Sequence, residues 1–143
     1  MKRKLLFLAA MGLAFPVFSW AQAATQFVKV PEGYCWQYTK EYVKTNGRGF
    51  TFDETQHLLK GQFAELRSGG GDITTTIRTV PDKNKKGEEG CSIVVDRVGG
   101  AAASSFDQRV NSTLESSNIQ RANKITAFVT SKDKDRVKKE KKP

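Results

Sequence analysis

Apolar and polar positions alternate along this chain in two different rhythms, and the rhythms predict a mixed α and β protein. The first two dozen residues stand apart from both. Leu5 to Phe18 is a nearly unbroken apolar run behind Lys2, Arg3 and Lys4, and small residues close it at Ala21-Gln22-Ala23. A positive start, a short apolar middle and a small-residue end make a cleavable secretory signal, with the cut expected after Ala23. The run falls short of the roughly 20 residues that span a bilayer, and Pro16 interrupts it.

Past the signal, Gln26 to Val30 is short and β-branched before Pro31, and predicts a strand. Tyr34 to Lys44 fits two patterns. Tyr34, Tyr38 and Tyr42 recur every four residues, as on one helix face, and Asn46-Gly47 would stop that helix. Tyr34, Trp36 and Tyr38 also alternate, as in a strand before an Asn-Gly hairpin turn. The helix is the favoured reading. Thr51-Phe52-Asp53-Glu54 fits a capping box. Phe52, Leu59, Phe63 and Leu66 then fall within about 60° of one another on a helical wheel, which predicts a helix ended by Gly69-Gly70-Gly71.

Ile73, Thr75, Ile77 and Thr79 alternate with polar neighbours, and 72–80 reads as a half-buried strand. Cys91 to Val98 reads as its hairpin partner across the charged, turn-rich stretch Pro81 to Gly90. A thin apolar face at Phe106, Val110 and Leu114 predicts a short helix, opened by a second capping box at Ser105. Ile125, Ala127 and Val129 predict a last strand within Lys124 to Ser131. From Lys132 the chain is charged and poor in apolar residues, the composition of a disordered tail.

The expected organisation is a signal peptide at 1–23, an α+β domain at 24–131 and a disordered basic tail at 132–143. Setting aside the ambiguous helix, the element order is βαββαβ. That is the split pattern of ferredoxin-like two-layer sandwiches, an antiparallel sheet with two or three helices on one face.

Charge sharpens this division. The net charge is +9, but Lys2, Arg3 and Lys4 supply three of those charges. Residues 132–143 hold seven Lys/Arg against three Asp/Glu, so the body between is close to neutral. A nearly neutral body is not the footprint of a nucleic-acid-binding domain, which gathers Lys/Arg on one face. The two cysteines, Cys35 and Cys91, both lie in the expected mature chain. An even count in an exported protein favours pairing. In the predicted topology the end of the first strand meets the start of the strand that Cys91 opens, so a Cys35–Cys91 disulfide is natural there. One histidine and two distant cysteines match no metal-ligand spacing, and no cofactor motif is present.

Candidate chemistry is sparse. His57 is the only histidine. On the predicted helix it faces solvent with Asp53 four residues earlier, an arrangement in which a carboxylate could orient an imidazole base; Glu54 is a second candidate. No nucleophile motif accompanies them. Trp36 lies opposite Tyr38 on the predicted first helix and is the candidate exposed aromatic contact. Lys83, Lys85 and Lys86 crowd the hairpin loop, where they could dock onto an acidic partner. Lys138, Lys139, Lys141 and Lys142 in the tail could touch an anionic polymer or lipid. The expectation is therefore a periplasmic or secreted, non-catalytic interaction module with a protein partner, an inhibitor or an accessory subunit of an envelope assembly. The alternatives are a small secreted hydrolase using His57 with Asp53 or Glu54, and a polyanion-binding adhesin using the tail.

Overall fold

The computed structural model describes residues 23–63, 73–99 and 108–142. The signal at 1–23 lies outside these except for Ala23. So does the expected helix start at Ser105. The described elements run β1 (Ala24–Val28), α1 (Glu32–Asn46), β2 (Gly47–Asp53), β3 (Leu58–Phe63), β4 (Ile73–Lys83), β5 (Glu89–Gly99) and α2 (Gln108–Glu140). The chain is α+β, with one five-stranded antiparallel sheet in the order β1-β5-β4-β3-β2. β2 to β5 form a meander. α1 carries the chain from one edge strand, β1, to the opposite edge, β2.

One face of the sheet makes the core. Leu59, Ile77 and Val95 sit opposite one another on β3, β4 and β5, Thr79 faces Ile93 beside them, and all are buried. Both helices cover this face. α1 buries Cys35, Tyr38, Thr39, Tyr42 and Val43, the i, i+3, i+4 spacing of a helical stripe. α2 buries Asn118, Arg121, Ala122, Ile125 and Val129 at the same spacing.

The Cys35–Cys91 disulfide is present, with Cα atoms 6.5 Å apart, and both cysteines are fully buried. Its placement follows from register. β1 runs antiparallel to β5 with Val28 opposite Cys91, so the chain leaving β1 enters α1 directly above the start of β5. The juxtaposition read from the sequence holds, although the topology around it differs.

Three expectations are corrected. The segment expected as a helix at 51–66 is the β2–β3 hairpin as far as it is described. Asp53 does satisfy backbone N–H groups two and three residues on, at Thr55 and Gln56 (both 3.0 Å), but it closes a turn rather than opening a helix. His57 completes that turn in the left-handed region, at φ 48°. Alternation in β3 is hidden because its inward positions are Leu59, Gly61 and Phe63, and the glycine offers no apolar side chain. Phe50 takes its place. Its ring lies where a Cβ on Gly61 or Gly47 would be, about 2.4 Å and 2.3 Å from its nearest atoms, and it packs on Phe63.

The strand expected at 124–131 is the middle of α2, and Ala127 is on its exposed side. Asn118 and Arg121 occupy buried positions of the stripe, so its upstream half does not read as apolar. The tail expected to be disordered from Lys132 continues α2 as far as Glu140. The βαββαβ order therefore gives way to βαββββα, with two helices among the described residues.

The disulfide spans 56 residues, and a crosslink of that reach restricts the unfolded chain by about 4 kcal/mol in the loop-entropy picture. Reduction, or replacement of both cysteines by alanine, is expected to shift the urea midpoint down by a corresponding amount. A midpoint unchanged by reductant would show that the bridge adds nothing to stability.

Candidate functional site

The β2–β3 turn meets the first turn of α1, and this meeting gathers Glu32, Lys40, Asp53, Glu54 and His57. Glu32 is the first residue of α1, where a carboxylate also complements the helix dipole. Its Oε1 contacts His57 Nδ1 and accepts a hydrogen bond from the Thr79 hydroxyl at 3.2 Å. The Thr79 backbone N–H in turn donates to the His57 carbonyl at 3.2 Å. One carboxylate thus ties α1, the hairpin turn and β4 together.

The His57 ring stacks on Trp36, with centroids 4.7 Å apart and planes within 6°. The Trp36 indole N–H donates to Glu54 Oε2 at 2.7 Å, and the Lys40 ammonium reaches the same carboxylate at 3.0 Å while lying 5.2 Å from the Trp36 ring centroid. The Trp36 hydrogen bond, then that of Lys40, holds the Glu54 carboxyl below the usual carboxylate range. Trp36, expected as an exposed contact, is only 4% exposed, and His57 takes a face of its ring. Tyr34 is the exposed aromatic of α1, and the Arg136 guanidinium lies 4.1 Å from its centroid.

The expected pairing of His57 with Asp53 gives way to pairing with Glu32. Asp53 is committed to the turn backbone, and Glu54 shares the cluster through Trp36 rather than through a hydrogen bond to His57. No serine, threonine or cysteine side chain hydrogen-bonds to the His57 ring among the described residues; the Thr79 hydroxyl donates to Glu32 instead. Glu32 escaped the sequence reading because it lies 25 positions from His57, and only the hairpin turn brings them together. No group of three or more His, Cys, Asp or Glu there is arranged to hold a metal ion.

A second feature lies beside this cluster. A shallow groove of about 460 Å³ runs between the start of α1 and the β4–β5 hairpin, bounded by Pro31, Glu32, Pro81, Asp82, Glu89 and Gly90, with Lys83 at its rim. Cys91 follows Gly90 and Cys35 lies one turn past Pro31, so the disulfide ties together the two elements that bound the groove. Asp82 accepts the Ser92 hydroxyl at 2.5 Å and the Lys83 N–H at 2.8 Å, and these bonds hold its carboxyl below the usual range. The hairpin tip is equally fixed. Asn84 Oδ1 accepts the N–H groups of Lys86 and Glu88, Gly87 supplies the left-handed residue, and Glu88 pairs with Lys29. Lys83, Lys85 and Lys86 are exposed on this ordered frame.

Among the described residues, the interior holds two arginines that sequence reasoning did not single out. Arg121 on α2 donates to the Tyr42 hydroxyl at 2.7 Å and lies 3.8 Å from the Phe63 centroid, which ties both helices to β3. Arg97 on β5 donates to the Ser117 hydroxyl of α2. A polar residue in an otherwise apolar helical stripe is the signal that could have pointed to Arg121.

No protein-family model and no curated protein sequence matches the chain.

Two outcomes test this geometry. Arg121→Met keeps the bulk and deletes the hydrogen bond and the ring stacking; it is expected to cost about 2 kcal/mol in chemical denaturation. A loss below a few tenths would show that the guanidinium is not a tie. Glu54 has a lowered folded pKa, so its contribution is present at neutral pH and is lost as pH falls through that lowered value. Glu54→Gln should therefore melt below wild type at pH 7, and the gap should close in acid. A gap that persists at pH 2 would contradict the charge-assisted origin.

Proposed function

We propose that the protein is an exported, non-catalytic interaction module that receives an extended segment of a protein partner in the groove between α1 and the β4–β5 hairpin. The observation that carries the reading is the bracing of that groove. The disulfide that links α1 to β5, the Asp82–Ser92 hydrogen bond between the hairpin strands and the Asn84 turn that joins them hold the bounding elements before anything binds. A surface held rigid in advance loses little entropy on association.

The chemistry of the walls specifies the partner. Pro31 and Pro81 supply apolar sides, while Glu32, Asp82 and Glu89 outnumber Lys83. Such a groove suits an extended segment carrying a lysine or arginine. A signal peptide at 1–23 would deliver the protein to the periplasm or beyond, where the partner would be an envelope or extracellular protein. The disulfide is consistent with that oxidising compartment. No helix among the described residues is long and apolar enough to cross a membrane.

The non-catalytic part of the reading rests on the commitments of His57. Its Nδ1 is occupied by Glu32, its ring by Trp36, and the neighbouring Thr79 hydroxyl donates to Glu32 rather than to the imidazole. A Glu-oriented imidazole is nevertheless the one arrangement here that favours a hydrolase, and His57→Asn tests it, since asparagine tolerates the left-handed turn. The expected result is an unchanged partner affinity and no turnover to lose.

The decisive experiment identifies a stoichiometric partner from envelope extract and measures its affinity for purified protein. Asp82→Lys with Glu89→Lys should weaken binding at least tenfold. Unchanged binding by this variant, or a hydrolytic activity abolished by His57→Asn, would overturn the reading. Mass spectrometry of the exported protein should give a chain beginning at Ala24.

A further inference from the structure

The C-terminal part of α2 sorts its charges by face. Asp133 and Glu140 turn towards Arg136, which pairs with both (2.8 and 2.9 Å) and packs on Tyr34 of α1. Lys132 pairs with Glu41 of α1 at 3.4 Å. The acids of the segment, Asp135 excepted, are therefore spent on the side that meets the domain. Lys134 and Lys138 are exposed and lie about 40° apart on the helical wheel, opposite the buried positions Ile125 and Val129. Lys141 and Lys142 continue past the helix end, still tied to it by backbone hydrogen bonds to Val137 and Lys139. None of these four lysines pairs with a carboxylate among the described residues.

We infer that this solvent face of α2 is an electrostatic docking strip for an anionic lipid bilayer surface. It is carried by a rigid helix rather than by a flexible tail, and it is independent of the groove. Three features favour the lipid surface, and the lack of inserting side chains sets how it would be met. The cations stand in a row along one side of a helix that the core anchors on its other side, so they can meet a planar array of headgroup phosphates together. The exposed residues between Lys124 and Lys142 on that face are polar or alanine, without Trp, Phe or Leu to insert into acyl chains. The strip carries no aromatic ring on which a base or sugar could stack. The expected export places the protein at the cell envelope, where headgroups are the anionic surface at hand. Adsorption should be peripheral and screened by salt, since the lysines remain hydrated.

The test uses the full exported chain and sedimentation with vesicles. Binding is expected to mixed phosphatidylcholine–phosphatidylglycerol vesicles at low salt, and not to pure phosphatidylcholine. Each lysine neutralised should lower the partition coefficient about fivefold. Replacing Lys134, Lys138, Lys141 and Lys142 by glutamine should thus nearly abolish sedimentation, with the far-ultraviolet circular dichroism unchanged. A control replaces Lys83, Lys85 and Lys86 on the hairpin loop by glutamine, three charges against the strip's four. It should bind as wild type, which separates a strip from overall charge. Absence of binding to anionic vesicles, an equal loss in the loop variant, or retained binding by the strip variant would overturn the inference. So would capture by soluble polyphosphate that outcompetes the vesicles at equal phosphate, which would point to a polymer instead.

Discussion

The constraint on which the rest depends is the covalent tie between the first turn of α1 and the first residues of β5. β1 and β5 are antiparallel neighbours, so the chain leaving β1 at Val28 is already beside Cys91. Turning into a helix at Glu32 places Cys35 over it, and the disulfide fixes both the position of α1 and its rotation about its own axis. That rotation decides what each neighbouring side chain can reach. Glu32, one turn earlier, faces the β2–β3 turn and β4. Trp36, one residue later, presents its ring to His57 and its indole N–H to Glu54. Two turns on, Tyr42 meets Arg121. A different helix rotation would dissolve all of these contacts at once.

The second determinant is the polar character of the interior. α2 is held by hydrogen-bonded arginines as well as by Ile125 and Val129. Desolvating a guanidinium is costly unless its donors are satisfied. Arg121 offsets part of that cost through the Tyr42 hydroxyl and the face of Phe63, contacts that exist only when α1, β3 and α2 are assembled. Such contacts favour one registry of the helix on the sheet, whereas an all-leucine stripe would tolerate sliding by a turn.

Legibility in the sequence followed how local each signal was. β4 and β5 were readable because alternation and a charged turn lie within two dozen residues. α1 was readable as the better of two patterns through its tyrosine repeat. The disulfide followed from cysteine count and compartment. The β2–β3 hairpin misled because Asp53 caps a turn with the same side-chain chemistry that caps a helix, and because Gly61 leaves a gap that Phe50 fills from another strand. α2 was split in two because Asn118 and Arg121 broke its apolar stripe, and because Ile125, Ala127 and Val129 also satisfy a strand rhythm. At the site, His57 was singled out with Asp53 or Glu54, and Trp36 apart from them. Their association, and the role of Glu32, depend on contacts across 18 to 25 residues that no local pattern encodes.

The two charged surfaces are linked through the same turn of helix. Glu32 forms part of the acidic groove, and Tyr34, two residues on, holds Arg136 and with it the C-terminal half of α2. The arginine draws Asp133 and Glu140 to the domain side, and this leaves Asp135 as the one acid of the segment near the outward lysines. An acidic groove on the nearly neutral body and a basic strip on the C-terminal part of α2 can therefore coexist, because pairing of Arg136 with Asp133 and Glu140 keeps those acids off the strip. The disulfide anchors the turn from which both surfaces are built. A partner segment and an anionic surface would then meet opposite charges presented by one rigid frame, each without rearrangement of the other.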